Sequence, residues 1–333
     1  MRKRVIICGF GFMGQTHAGN ILKTNELELA GIVTRSSRKK LKPVAGNLDA
    51  GSLDWSRLEK IPFFTTLPEA LDNCAFDAAV IAVPTALHAD FAMECIRHGK
   101  HIFLEKPICA NQREAAEIIA ASSEKNIICH IGHCLRLFPA YRFLQQIYTE
   151  KSYGKLKYLK LFRRTAVPDW GAWKNMDTSL EAITGPVFDL NIHDIDFALH
   201  LTGLPENLTA RKEAYDSKLF RVNWQSADGT LIEIEGGFAG QAGFAFRAGF
   251  MAYFEKAIVE YSTDASEPLV IACNGKSEAV KLPDDDAYHL EIQAFAQALN
   301  SEKACCCTPG EAAQALEICL KTVESLNSAG NDD

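Results

Sequence analysis

Two short stretches carry residue types that could move a proton. Glu105-Lys106-Pro107 closes an apolar run and sets an amine next to a carboxylate. A lysine held near another cation has its pKa lowered and can exchange protons near neutrality. The plainer reading of Lys106 is a solvated loop lysine. Asp189 and His193 stand four residues apart in Gly185-Pro186-Val187-Phe188-Asp189-Leu190-Asn191-Ile192-His193-Asp194-Ile195-Asp196. On one helix they share a face. A carboxylate one turn from an imidazole orients it and raises its pKa, which suits a general acid/base. The same spacing also fits a surface pair or two metal ligands; no third ligand stands at matching spacing, and no metal is expected. Trp170 and Trp173, with Lys174, set aromatic rings beside polar groups. That suits a sugar or polyol, and equally a hydrophobic anchor.

These residues need elements to position them. The first is Gly9-Phe10-Gly11-Phe12-Met13-Gly14, which follows a β-branched apolar run and precedes a helix-competent segment, 15–23. This is the strand–turn–helix opening of a dinucleotide-binding unit. Gly9 permits the turn, Gly11 lets a pyrophosphate approach, and Gly14 lets the helix sit on the strand. The helix start offers amides and a positive dipole end. A second strand spans 27–33. In NAD binders an acidic residue follows it, to hold the ribose hydroxyls. Here Thr34, Arg35 and Ser36 stand in that place. Arg35 and the serines could hold a 2′-phosphate, so NADP is favoured over NAD. The alternative is a solvated basic helix start with a serine N-cap.

Apolar strands at 78–83, 101–104 and 127–131 alternate with helices at 67–73, 87–97 and 111–125. Asn111 and Glu114 are spaced as a capping box. The alternation gives βαβ units and a parallel, doubly wound sheet. Ligands bind beyond the carboxyl ends of such strands. Topology therefore brings the glycine turn, Val83-Pro84-Thr85 and Glu105-Lys106-Pro107 together beside the cofactor, where a nicotinium charge would act on Lys106.

The pattern changes near Cys134. A helix at 140–150 leads into a β-rich half with strands at 155–164, 208–214, 219–225, 230–238, 243–254, 257–262 and 269–273. Asp228-Gly229 and Asn274-Gly275 are hairpin signals. The fold class is α/β: a Rossmann domain over 1–133, then a substrate and oligomerisation domain over 134–333 with an open, mostly antiparallel sheet and two last helices at 287–300 and 310–327. Phe244, Phe246, Phe250 and Phe254 fall on one face by the two-residue period. If the helices take the opposite face, this one becomes a subunit interface.

Composition excludes several classes. The 333 residues are 47% hydrophobic and 23% charged, with net charge −7. That is a globular chain with no electrostatic footprint for nucleic acid. No apolar span has membrane length and no secretory signal is present. The 11 cysteines lack a Cys-x-x-Cys pair, as in a reducing cytoplasm. Cys305-Cys306-Cys307 reads as a loop feature, since three successive residues cannot all face one metal from regular structure.

Taken in order, these motifs resemble the Gfo/Idh/MocA oxidoreductase family (glucose–fructose oxidoreductase, inositol dehydrogenase and relatives). The pieces are Gly9 to Gly14, Pro84-Thr85-Ala86-Leu87-His88, Glu105-Lys106-Pro107, Arg136 with Phe138-Pro139, and Asp189 to Asp196. The resemblance implies hydride transfer between NADP or NAD and a secondary alcohol/ketone pair of a sugar or polyol. It implies Lys106, Asp189 and His193 as the catalytic, substrate-binding set; Trp170 and Trp173 are substrate-binding candidates on their residue types alone. It implies that His88, Glu105, Pro107 and Arg136 help form the cofactor pocket, and that a homodimer or homotetramer forms through the second sheet. Two other activities remain open on this fold: an NAD-dependent glycosidase and a non-catalytic nucleotide sensor. Two departures stand out. Only Gly185 precedes the Asp189 segment where several glycines are common, and Asn191 stands where glycine is common.

Overall fold

The computed structural model describes residues 2–36, 41–44, 53–169, 175–213, 216–241, 243–300 and 304–328. In chain order the elements of the first half are β1 Lys3–Cys8, α1 Phe12–Lys23, β2 Leu27–Val33, β3 Phe63–Phe64, α2 Leu67–Asn73, β4 Ala78–Ile81, α3 His88–Arg97, β5 His101–Glu105, α4 Gln112–Glu124 and β6 Cys129–Gly132. The second half holds α5 Pro139–Thr149, β7 Leu156–Ala166, α6 Pro186–Asp189, α7 Ile192–Thr202, β8 Pro205–Glu213, β9 Asp216–Ser226, β10 Leu231–Ala239 and β11 Arg247–Phe254. It closes with β12 Ala257–Ser262, β13 Leu269–Cys273, β14 Lys276–Ala279, α8 Ala287–Leu299 and α9 Pro309–Ser328.

The chain divides into two compact units, Met1–Cys134 with Asp286–Ala313, and Leu135–Asp285 with Gln314–Asp333. The second expected domain is therefore not continuous, because Asp286–Ala313 returns to the first unit. The physical reason is packing. Ile292, Phe295, Ala296 and Leu299 of α8 join Val5, Ile7, Ile21 and Phe103 in one buried cluster. Phe295 meets Phe103 edge-on at 5.7 Å. Burying a leucine, isoleucine or phenylalanine side chain contributes about 1.5–3 kcal/mol at most, so Ile292, Phe295 and Leu299 together can decide where a helix docks.

The first unit holds a six-stranded sheet in the order β3-β2-β1-β4-β5-β6, with every pairing parallel. Its central strands are buried on both faces, which is why they read as continuous apolar runs. Asn111 caps α4 as expected, with Glu114 N donating to Asn111 Oδ1 at 3.1 Å, but the return bond of the expected capping box falls one residue early, from Ala110 N to Glu114 Oε2 at 3.3 Å.

The second unit holds an eight-stranded sheet, β14-β13-β12-β11-β7-β10-β9-β8. It is antiparallel except for β10 against β7. The Asn274-Gly275 hairpin has φ of 50° and 74° at its two turn residues, as a type I′ turn requires. The expected phenylalanine face needs correction. Phe244 and Phe246 precede β11, in a turn where Phe244 N donates to Gln241 O at 3.3 Å. Phe250 is fully buried and lies 5.3 Å from the ring of Tyr141 on α5. The chain's own helix covers that row. The opposite face carries Tyr158 and Tyr253, 5.8 Å apart, and an ion-pair network of Lys160, Arg164 and Arg221 with Glu233 and Glu235.

Candidate active site

The turn after β1 shows why three glycines stand there. Gly9 has φ +93°, and a Cβ on it would lie 2.3 Å from the carbonyl oxygen of Ala82. A Cβ on Gly14 would lie 2.1 Å from the carbonyl oxygen of Gly9. Only glycine fits either position. A Cβ on Gly11 would meet nothing within 4 Å; the space over the turn is open. No side chain caps α1 and its first turn holds no acid, which leaves amides and a positive dipole end for an anion. Phe12 and Met13 are half-buried beside it. This cradle fits a dinucleotide pyrophosphate. Phe10 contributes backbone only, since its ring packs inward against Trp55 and Phe63.

The ends of β1, β2, β4 and β5 are tied together. Gly9 N donates to Val33 O at 2.9 Å, and Ala82 N donates to Cys8 O at 2.8 Å. After β2, Thr34 accepts from Ser36 N at 3.3 Å through its hydroxyl, while Arg35 and Ser36 are exposed. After β4, Val83 and Thr85 are half-buried and Pro84 is exposed.

His88 joins two of these ends. Its Nδ1 lies 2.7 Å from Pro107 O and its Nε2 lies 2.9 Å from Val83 O. Burial holds the imidazole below its ordinary pKa, against the pull of both carbonyls and of Glu105. Glu105 is buried at the end of β5, where His17 Nε2 meets its Oε1 at 2.6 Å. Burial pushes the Glu105 carboxyl up, but the His17 hydrogen bond and the charges of His17 and Lys106 outweigh it, and the group sits below its ordinary value. Glu105 Oε2 accepts from Lys106 N at 3.3 Å, and the Lys106 side chain is half-buried. His88 and Glu105, expected as cofactor contacts, thus each give one polar atom to the loop that carries Lys106 and the other to Val83 and His17 respectively.

In the second unit the expected single helix through Asp189 and His193 is interrupted. Asp189 ends α6 and His193 lies in the first turn of α7, with Leu190 and Asn191 between. Asn191 N donates to Pro186 O at 2.8 Å, a five-residue step that widens the turn. Asp189 and His193 are both half-buried.

α7 is clamped by the residues that flank His193. Asp194 receives Arg163 Nε and Nη2 of β7 at 2.9 and 3.1 Å. Asp196 receives Arg136 Nε and Nη2 at 2.9 and 2.7 Å, with side chains 1% and 3% exposed. Bidentate geometry fixes direction as well as distance. Arg136, expected beside the nicotinamide, gives its guanidinium to this clamp.

Trp170 and Trp173 lie outside the described residues. Sequence reasoning missed His17, whose partner is 88 positions away. Its signal was available: His17 stands three residues after Gly14 and shares its sheet-facing side of α1. It also missed Arg163, which reads as one more charge on an alternating strand.

The family model described as an oxidoreductase family with an NAD-binding Rossmann fold matches residues 3–133. The chain is 26% identical over 341 residues to scyllo-inositol 2-dehydrogenase (NAD(+)) of Bacillus subtilis (strain 168), spanning 98% of this chain and 94% of that one. It is 23% identical over 301 residues to scyllo-inositol 2-dehydrogenase (NADP(+)) IolW of the same strain, spanning 88% and 76%. Among solved structures, UDP-N-acetylglucosamine 3-dehydrogenase GnnA from Acidithiobacillus ferrooxidans matches with TM-score 0.80 at 21% identity, covering 98% of this chain and 99% of that one. That last likeness shows the fold.

Proposed function

We propose that the chain is a member of the Gfo/Idh/MocA oxidoreductase family, whose Rossmann model matches residues 3–133, and that it is an NAD(P)-dependent dehydrogenase or reductase acting on the secondary alcohol/ketone pair of a sugar, polyol or similar polar compound. The observation that carries this reading is the shared edge of the first sheet. There the open glycine cradle, Val83 and the Lys106 loop are bonded to one another through Ala82 and His88. The likeness to two inositol dehydrogenases, over 98% and 88% of this chain, supports the substrate class.

Gly9 to Gly14 would hold the pyrophosphate on the first amides of α1. The bound nicotinamide supplies the site that accepts or gives the hydride. Lys106 and His193 would contact the reacting hydroxyl, one of them taking or returning its proton. Asp189 orients substrate or imidazole. The clamps at Asp194 and Asp196 hold the first turn of α7, so His193 arrives in one orientation. Arg35, with no acid at position 34, favours NADP. The second sheet would pair subunits as a homodimer or homotetramer through the face of Tyr158 and Tyr253, not the covered phenylalanine row.

Incubating the purified protein with NAD⁺ or NADP⁺ and a panel of inositols and aldoses tests the reading. Reduced nicotinamide formed with any of them supports it. Stoichiometric nucleotide binding without turnover would favour a sensor. Sugar release without net reduction would favour a glycosidase.

A further inference from the structure

We propose that His17 is a positioning residue for Lys106, acting through the Glu105 carboxylate and the backbone of the Glu105-Lys106-Pro107 loop. The proposal rests on the reading of Lys106 as a proton-handling group.

The loop is gripped on both sides of Lys106. On its amino side, Glu105 Oε2 takes the Lys106 amide at 3.3 Å. On its carboxyl side, His88 Nδ1 donates to the Pro107 carbonyl at 2.7 Å. A carboxylate that grips a backbone amide must itself be held, or it swings with its own rotamers. His17 Nε2 does this at 2.6 Å on the other oxygen, Oε1. The carboxylate accepts, so Nε2 carries the proton.

His17 is rigid in turn. It is fully buried on α1 and its ring meets Phe103 of β5 edge-on at 4.9 Å. Gly132 of β6 leaves room for the Glu105 carboxylate: a Cβ there would stand 3.3 Å from Oε2. The chain of contacts starts three residues after Gly14, on the helix whose first turn forms the cradle. One rigid element thus sets the cradle and the Lys106 loop in common register. A hydrogen-bond donor at the place of Nε2 is needed at position 17 for this, whereas a purely packing role would accept any ring of that size.

The test compares His17→Phe, which keeps the ring, with His17→Gln, which restores a donor near Nε2. Exchange of the Lys106 amide, followed by mass spectrometry of the peptide around it, reads the grip without any substrate. His17→Phe should exchange about tenfold faster there, and His17→Gln should stay near wild type. With NADP⁺ and scyllo-inositol as probe, kcat of His17→Phe should fall about 100-fold while the Kd for NADPH is unchanged. If His17→Phe fails to fold, Glu105→Gln replaces it, with the same loss of protection expected. Unchanged exchange in a folded His17→Phe overturns the proposal, as does equal loss in the Phe and Gln variants. Absence of turnover in the wild type counts against the dehydrogenase reading and leaves the exchange result to decide the role of His17.

Discussion

Asn191 occupies the space that Gly236 leaves open. A Cβ on Gly236 would lie 2.0 Å from Asn191 Nδ2 and 2.1 Å from Oδ1. Asn191 fills the break between α6 and α7, where it also donates to Arg163 O and Asp194 Oδ2 at 3.4 and 3.3 Å. The larger residue on one element is matched by the missing side chain on the other, β10.

Gly236→Ala should therefore destabilise by about 1–3 kcal/mol, as overpacking does. Adding Asn191→Gly should recover part of that loss, although Asn191→Gly alone costs stability by removing two hydrogen bonds. Denaturant unfolding of the four species measures the coupling. Simple additivity would show that the two side-chain positions do not share this space.

Removing Arg136 alone leaves the Asp196 charge buried and should cost about 3–5 kcal/mol. Replacing both partners, as Arg136→Met with Asp196→Leu, should cost much less. Removing Arg113 from its exposed pair with Glu117 should change stability by under about 1 kcal/mol. Fluorescence titration of NADPH checks the assignment of Arg136 to the α7 clamp. The folded double variant should bind the cofactor like wild type, and a large loss of affinity would return Arg136 to the cofactor.

His88 makes stability depend on pH. Its folded pKa lies below the ordinary value of 6.5 because of burial. Between that depressed value and 6.5 the unfolded chain binds more protons than the folded one. Stability therefore falls as pH drops below 6.5 and continues to fall until the folded pKa is passed. Thermal melts from neutral pH downward should show this slope, and His88→Gln should flatten it. Glu105 adds a separate loss at lower pH: its carboxyl is held below its ordinary 4.5, so its contribution is present above that value and disappears as pH falls through the folded pKa.

Thr34→Asp combined with Arg35→Ala should move cofactor choice from NADP towards NAD by about 10–100-fold. That range corresponds to one or two charge-assisted hydrogen bonds lost to a 2′-phosphate and a new acceptor for the ribose. The ratio of kcat/KM for the two cofactors reads it.

Local chemistry made much of the fold legible. The Gly9–Gly14 turn, the Asn111 cap and the Asn274-Gly275 hairpin each announce themselves within a few residues. What could not be read was decided at long range. The return of α8 to the first unit depends on Phe295 meeting Phe103. The break at Asn191 depends on space provided by Gly236. The true start of β11 depends on the turn at Gln241 to Phe244. The site followed the same division. Lys106, Asp189 and His193 stand out as residue types in motifs, whereas Arg163 and the clamp role of Arg136 are visible only through partners distant in sequence, and the spacing of His17 from Gly14 gives its face of α1 but not its partner Glu105.

The most direct test of the central claim is single-turnover hydride transfer, followed by nicotinamide absorbance, in wild type, Lys106→Ala and His193→Ala with the preferred cofactor and the best polyol. The assignment predicts a fall of about 100-fold or more in each variant, the scale of general acid–base catalysis, with NADPH affinity and melting temperature retained. Near-wild-type transfer in both variants would contradict it.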